Sequence, residues 1–429
     1  MKLHLRPWPA LLLVCSGLSG QTARRAVVID LDGVRRDTFV NAYQEGRLPN
    51  FQRVLGDAFW FDEATSVVPP VTMTSQASIF TGTFPSRHGM VGNQWFERDG
   101  SRMIDYMNTN GISCVYGFTV LGGATCAAGL GNRHLQAPTI YEAAAAAGLT
   151  SVAVYNQYWR GASQPAAPTA VEASMFIKGY TVDFRMFDAK MAARAMAELQ
   201  SHGMPSILTL YFAGADTAAH KDGIAAQLPY LSSIVDVLLG RILDVIEGLD
   251  PQWRSSTMFI LTADHGRSDV EPHPEDRTLV ADLSAALPAG THVAVNGGIG
   301  YIYLAQPDHA ALPSLAAVLE SDPKLSAAIA SVRPRTADDP VRAGDLVVTL
   351  RRGHYFNNPG SGSQHGGVSA EDLAVPLVVA VPGTAGTHVS GPASITQIAS
   401  TIADYLGFNM ESAGPALPVR RRIRMSVGQ

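Results

Sequence analysis

Cysteine is scarce in this chain. Three occur in 429 residues, and Cys15 falls in an N-terminal stretch that reads as an export leader, which leaves Cys114 and Cys126. The metal-type residues lie elsewhere, so no ligand role is expected for this pair. An even pair close in sequence, in an oxidising compartment, reads instead as a disulfide. Basic charge is not in surplus either: 32 Lys and Arg stand against 37 Asp and Glu, which excludes a nucleic-acid footprint. The local run Arg420, Arg421, Arg422 and Arg424 reads as a solvated tail, with a membrane or anion contact as the alternative. Beyond the leader no segment holds 18 uninterrupted apolar residues, so no transmembrane helix is expected. Internal repeats and low-complexity blocks are absent. With 46% hydrophobic and 16% charged residues, wholesale disorder is excluded. The length suits one large α/β domain or two medium ones.

The leader has the three parts of a signal peptide. Lys2 and Arg6 give a positive start, Trp8 to Val14 is apolar but too short to span a bilayer, and Gly17 and Ser19 suit cleavage. Residues 1–20 are therefore expected as a signal peptide, with the mature chain, 21–429, secreted or periplasmic. A buried N-terminal helix is the bland alternative. Val14 is bulky for a lipid attachment at Cys15, so cleavage of a soluble protein is favoured over a lipoprotein anchor.

Apolar runs that end in turns follow. Ala26–Leu31, Ser151–Tyr155, Ser206–Phe212, Thr257–Ala263 and Val375–Val381 read as buried strands. Helical patterns fall at Thr139–Ala147, Ala189–Leu199, Leu228–Leu249 and Ile395–Leu406. Strands that are apolar throughout and alternate with helices predict an α/β fold, a mostly parallel central sheet sandwiched by helices. Irregular stretches at Glu97–Gln136, Asp269–Gly297 and Arg333–Gly367 read as insertions, and the region 306–367 as a small cap.

The polar residues cluster at strand ends, where open α/β sheets place their ligand sites. Asp32 follows the first strand; Asp216 and His220 follow the one at Ser206–Phe212; Asp264 and His265 follow the one at Thr257–Ala263. His365 lies in a Gly/Ser-rich loop before the last strand. Singly, each has an ordinary reading: an Asp-Gly turn, a self-solvating helix start, a surface-loop histidine. Together, three carboxylates and three imidazoles form a mixed N/O ligand set that favours zinc or a neighbouring transition metal over calcium or magnesium. Six ligands suit two ions rather than one, and a two-ion site clamps the attacking and leaving oxygens of an in-line displacement. His4, His202 and His309 read as surface residues.

A second constellation, Pro69-Pro70-Val71-Thr72-Met73-Thr74-Ser75, runs into an apolar helix at Gln76–Thr81. Thr72 could be a plain N-cap. It could also be a hydroxyl nucleophile at a helix start, where N–H groups and the dipole attract a phosphoryl group. Asn93, in Gly92-Asn93-Gln94-Trp95, is either a turn residue or a donor to a phosphoryl oxygen.

These motifs, Asp32-Gly33-x-Arg35, Thr72, Thr81-Gly82-x-x-Pro85-x-x-His88-Gly89-x-x-Gly92-Asn93, Asp216-x-x-x-His220, Asp264-His265-Gly266 and His365-Gly366, together resemble the alkaline phosphatase superfamily, and within it the type I phosphodiesterase/nucleotide pyrophosphatase family. The resemblance spans about Ala26 to Phe408. It implies an alkaline phosphatase-like fold and two Zn2+ ions. Asp216, His220 and His365 would hold one; Asp32, Asp264 and His265 would hold the other, with Thr72 bound to it. It also implies a phosphothreonine intermediate, a phosphoryl contact from Asn93, and a small-molecule phosphate ester as substrate. The sequence at Val71–Ser75 departs from the Thr-Phe-Pro-Asn run common among the family's phosphodiesterases, which bears on diester preference. The rival within the superfamily is a threonine-nucleophile alkaline phosphomonoesterase, which holds its dianionic substrate with a lysine and an arginine. Arg160 lies about where that arginine would fall, but no lysine accompanies it. A phosphonate hydrolase, a cytosolic phosphomutase and a non-catalytic secreted binding protein stand further off.

Overall fold

The structure is a computed structural model and describes residues 24–106, 130–169, 172, 184–356, 358, 360–412 and 414–419. The expected leader, Cys15, Cys114, Cys126 and the basic run at 420–424 lie outside the described residues.

Eight strands form the main sheet: β1 (Arg25–Leu31), β2 (Phe59–Thr65), β3 (Ser151–Val154), β4 (Gln164–Ala166), β5 (Ile207–Phe212), β6 (Thr257–Thr262), β7 (Leu377–Ala380) and β8 (His388–Ser394). Their order is β8-β2-β7-β6-β1-β5-β3-β4. β1 runs parallel to both β5 and β6, with Leu31 opposite Phe212 and Asp30 opposite Thr262. Only β7 is antiparallel to its neighbours. β5 and β6 are buried along their whole length, as a parallel sheet covered on both faces requires.

Two groups of helices flank the sheet. Pro49–Leu55, Phe184–His202 and Asp236–Leu249 pack together in one; Thr72–Thr81, Ile140–Ala146 and Gln397–Leu406 pack together in the other. Local chemistry sets their ends. Thr139 and Glu142 form a reciprocal capping box that starts Ile140–Ala146. Asp236 accepts hydrogen bonds from the backbone N–H of Asn50 and Phe51, tying two helices of one layer. The helix expected over Leu228–Leu249 is present and continuous, with a π-helical turn at Leu231–Val235 inside it.

A smaller sheet orders its strands as His292–Asn296, Ile299–Tyr303, Leu346–Leu350 and Ile329–Pro334, all antiparallel. It has its own core around Leu283, Ile302, Leu319, Leu346 and Val348. The insertion expected at 306–367 contributes two of these strands; the other two precede it, in a stretch that reads as partly irregular. The expected insertion at 97–136 begins in a hairpin pairing Gln94–Glu97 with Arg102–Asp105.

The turn of the small sheet presses on the loop that carries His365. Gly297 has φ +68°, and a Cβ there would lie 1.8 Å from the His365 carbonyl oxygen. Gly297→Ala should therefore lower stability by about 3 kcal/mol or more, read as a lower midpoint in thermal unfolding. Gly148→Ala, also at positive φ but with nothing within 4 Å, should cost only the backbone strain, about 1 kcal/mol.

Candidate active site

β1 lies between β5 and β6, so their carboxyl ends bring three aspartates together. Asp32 directly follows β1. Asp216 sits in the first turn of the helix Gly214–Asp222 after β5, with His220 one turn on along the same face. Asp264 and His265 follow β6. Gly33 makes room for this convergence: at φ +58° it has no Cβ, and one would stand 2.3 Å from Asp216 Oδ1. Its N–H donates to Asp264 Oδ1 at 3.0 Å.

Two clusters result, each with its donor atoms within 4.8 Å of one another. In the first, His220 Nε2 is 3.2 Å from Asp216 Oδ2 and His365 Nε2 is 4.0 Å from Asp216 Oδ1. In the second, His265 Nε2 is 3.3 Å from Asp32 Oδ1 and 3.7 Å from Asp264 Oδ1. The grouping is the one the resemblance implies. The clusters adjoin, because the His265 and His365 rings stack with centroids 3.7 Å apart. Carbonyls orient both rings: His365 Nδ1 lies 3.1 Å from Pro70 O, and His265 Nδ1 lies 3.0 Å from Gly266 O. A protonated Nδ1 donates to each carbonyl and leaves the Nε2 lone pair for a cation.

Thr72 opens the helix Thr72–Thr81, which starts four residues earlier than the apolar pattern suggests. Val71 occupies the N-cap position and makes no side-chain cap hydrogen bond. The Thr72 hydroxyl is thus not used as a cap; it lies 3.5 Å from His265 Nε2. Asn93 Oδ1 accepts from the Met73 N–H at 3.1 Å, which fixes the amide at the helix start and leaves its NH2 as the group to donate.

Arg160 lies outside this group. Its guanidinium donates to Glu142 and to the carbonyls of Asn132, Leu135 and Ala137 at 2.7–2.9 Å. It ties the start of the helix Ile140–Ala146 to the segment before it.

Three residues of the site carry no motif of their own. Arg267 is fully buried, with Nη2 2.8 Å from Asp216 Oδ1 and Nη1 donating to the Asp216 carbonyl at 2.5 Å. The Tyr211 hydroxyl donates to Asp32 Oδ2. Asp30, two residues before Asp32 in β1, is fully buried with neither carboxylate oxygen hydrogen-bonded. An arginine directly after Asp-His-Gly was the one available signal for Arg267.

The electrostatics point to missing positive charge. Asp264 Oδ2 also lacks a hydrogen-bond partner, and Asp32 Oδ1 has only the approach of His265. Burial, reinforced by Asp264 and Asp216, pushes the Asp32 carboxyl up to about 8. Burial and the repulsion of Asp264 and Asp32 raise Asp30 as well. Burial opposes the charge of Asp216 too, but Arg267 and then His220 outweigh it and hold that carboxyl well below the usual range. Carboxylates packed this closely, beside oriented imidazole nitrogens, fit divalent cations of the zinc type.

The type I phosphodiesterase/nucleotide pyrophosphatase family matches residues 26–369 of the chain. The chain belongs to that family. Its members are phosphoester hydrolases, and the fold is the alkaline phosphatase-like one. Murine ectonucleotide pyrophosphatase/phosphodiesterase 5 superposes with a TM-score of 0.64 at 16% identity, over 92% of this chain and 98% of that one. The human form superposes at 0.67 and 15%, over 92% and 97%. The alkaline phosphatase PafA crystal structure gives 0.68 and 15%, over 92% and 98%. In sequence, alkaline phosphatase PafA of Elizabethkingia meningoseptica is 32% identical over 107 residues, 23% of this chain. That match spans only 20% of the PafA sequence.

The raised Asp32 pKa carries a pH signature. A carboxyl that keeps its proton from its ordinary 3.8 up to about 8 contributes stability that is present below the ordinary value and lost as pH rises through the folded one. In chelator, the thermal midpoint should fall as pH rises across that window. In zinc, where the carboxylate stays ionised, this fall should be absent. Calorimetry in the two buffers checks both.

Proposed function

We propose that the chain is an exported two-zinc phosphodiesterase that works through a phosphothreonine at Thr72. The observation that carries this reading is the Thr72 hydroxyl, free of capping duty, at the start of a buried helix and 3.5 Å from His265 Nε2 of one cation cluster. In support, the murine relative solved in complex with AMP bears a threonine-to-alanine substitution and is described as inactive.

Zinc ions held by Asp216, His220 and His365 and by Asp32, Asp264 and His265 would supply Lewis acidity and neutralise phosphoryl charge. The chain's own groups do the rest. The dipole and the remaining N–H groups of the first turn of Thr72–Thr81 attract the phosphoryl oxygens. Asn93, held by the Met73 N–H, turns its NH2 toward a non-bridging oxygen. Thr72 Oγ1, as alkoxide, attacks phosphorus; the P–O bond to the leaving alcohol breaks, and that oxygen takes up a proton. Water then attacks the phosphothreonine; the P–Oγ1 bond breaks, the phosphate monoester leaves, and Oγ1 takes up a proton from the water to restore the Thr72 hydroxyl.

Substrate charge favours the diester. A monoester dianion needs an added cation beside the phosphoryl group. Arg160 is occupied structurally, and Arg267 is buried against Asp216. The local sequence match to alkaline phosphatase PafA favours the monoesterase instead, so the comparison of rates is the decisive experiment.

On zinc-loaded protein, kcat/KM for bis-p-nitrophenyl phosphate should exceed that for p-nitrophenyl phosphate. Thr72→Ala should lower both by several orders of magnitude with bound zinc retained. Asn93→Ala should lower them about a hundredfold. Arg160→Ala should destabilise the fold by about 2 kcal/mol or more and change both rates in parallel. Selective loss of monoester turnover in Arg160→Ala, with the monoester as the better substrate, would replace this reading with a phosphomonoesterase.

A further inference from the structure

Away from the two catalytic clusters, a third set of donors converges. His273 Nδ1 lies 3.5 Å from Glu275 Oε1, and the rings of His273 and His354 stack at 3.9 Å between centroids. One donor atom from each of the three lies within 4.8 Å of the others. No residue of the set belongs to the site described above.

The support behind His354 is what distinguishes this cluster from a chance grouping. Asp276 is fully buried. Its Oδ1 is 2.8 Å from His354 Nδ1, while its Oδ2 accepts from the Tyr355 N–H at 3.0 Å and from Asn358 Nδ2 at 2.9 Å. The carboxylate is thus fixed from both sides and holds the Nδ1 proton of His354, leaving Nε2 as a lone pair. A buried carboxylate that orients a histidine whose second nitrogen is presented outward is the arrangement found behind histidine metal ligands.

We propose that His273, Glu275 and His354 form a third cation site, for a divalent transition ion of the zinc type. Two neutral imidazoles and one carboxylate match the ligand set of open zinc sites, with a coordination position left for water. His273 and Glu275 are partly exposed, and His354 nearly buried, so an ion can enter from solvent.

The placement gives the ion a mechanical role. A ribbon pairs Ser268–Asp269 with Ser363–Gln364; the turn Pro274–Arg277 follows its first strand in the chain and the loop at His354 precedes its second. That ribbon follows Arg267 on one strand and precedes His365 on the other. A bound ion clasps these two segments together and so braces the chain leading to His365.

The test uses the full-length protein equilibrated with low-micromolar zinc and desalted, with metal counted by mass spectrometry. Wild type should carry about three ions per chain. The variant His273→Gln/Glu275→Gln should carry one fewer and keep most of its phosphodiester turnover. His365→Ala reports separately on the catalytic pair, so failure of this inference is distinguishable from failure of the two-zinc reading. In wild type, zinc should also slow tryptic cleavage after the exposed Arg352, and in the double variant it should not. Equal zinc content in wild type and double variant overturns the proposal. So does a third ion that appears only at millimolar zinc, or zinc protection of Arg352 that persists in the double variant.

Discussion

Mutual repulsion among buried carboxylates is the constraint around which this molecule is organised. Asp30, Asp32, Asp216 and Asp264 gather at the ends of three adjacent parallel strands. Two such charges a few ångströms apart repel by several kcal/mol even at the effective dielectric constant of a protein interior. Arg267 offsets this only at Asp216. The remaining negative charge is either protonated or neutralised by cations, so the same feature that makes the site competent for metal binding makes the fold sensitive to metal. Stability and catalytic potential share one electrostatic cause.

Backbone geometry sustains that arrangement where side chains cannot. The tightest approach in the cluster, Asp216 against Gly33, exists because position 33 has no Cβ and accepts a left-handed φ. A similar approach, Gly297 against the His365 carbonyl, joins the small sheet to the catalytic loop. The small sheet is therefore more than a decoration: its turn at Gly297 is one wall of the histidine's support.

Legibility in the sequence followed the type of signal. β1, β5 and β6 were readable because each is a largely buried, mainly apolar run with an aspartate within four residues of its end. β2 was not, since Asp62, Glu63 and Thr65 leave it only partly buried near the sheet edge. β8, at the edge itself, carries Gly391 and Pro392 and is largely exposed. The start of the helix at Thr72 was masked by Thr74, Ser75 and Gln76, polar residues that are nonetheless completely buried. His292–Asn296 lay in a stretch whose glycines and prolines suggested irregularity. The six residues of the two clusters were legible as a set, whereas Arg267 and Asp276 were not. Their partners lie far along the chain or on a separate loop, and only folding reveals the pairing.

The helix that bears Thr72 is walled in. Every residue from Met73 to Thr81 is buried, and Tyr158 and Asn93 pin its first turn through the carbonyl and N–H of Met73. In the proposed mechanism a nucleophile mounted this way cannot travel to meet its target. All adjustment to a new ester must come from the substrate and from the loops facing it, so changes in substrate range have to be written in those loops. The Thr72 oxygen keeps one fixed address, and the entropy of aligning it is spent at folding, once, and not again at each encounter with a substrate.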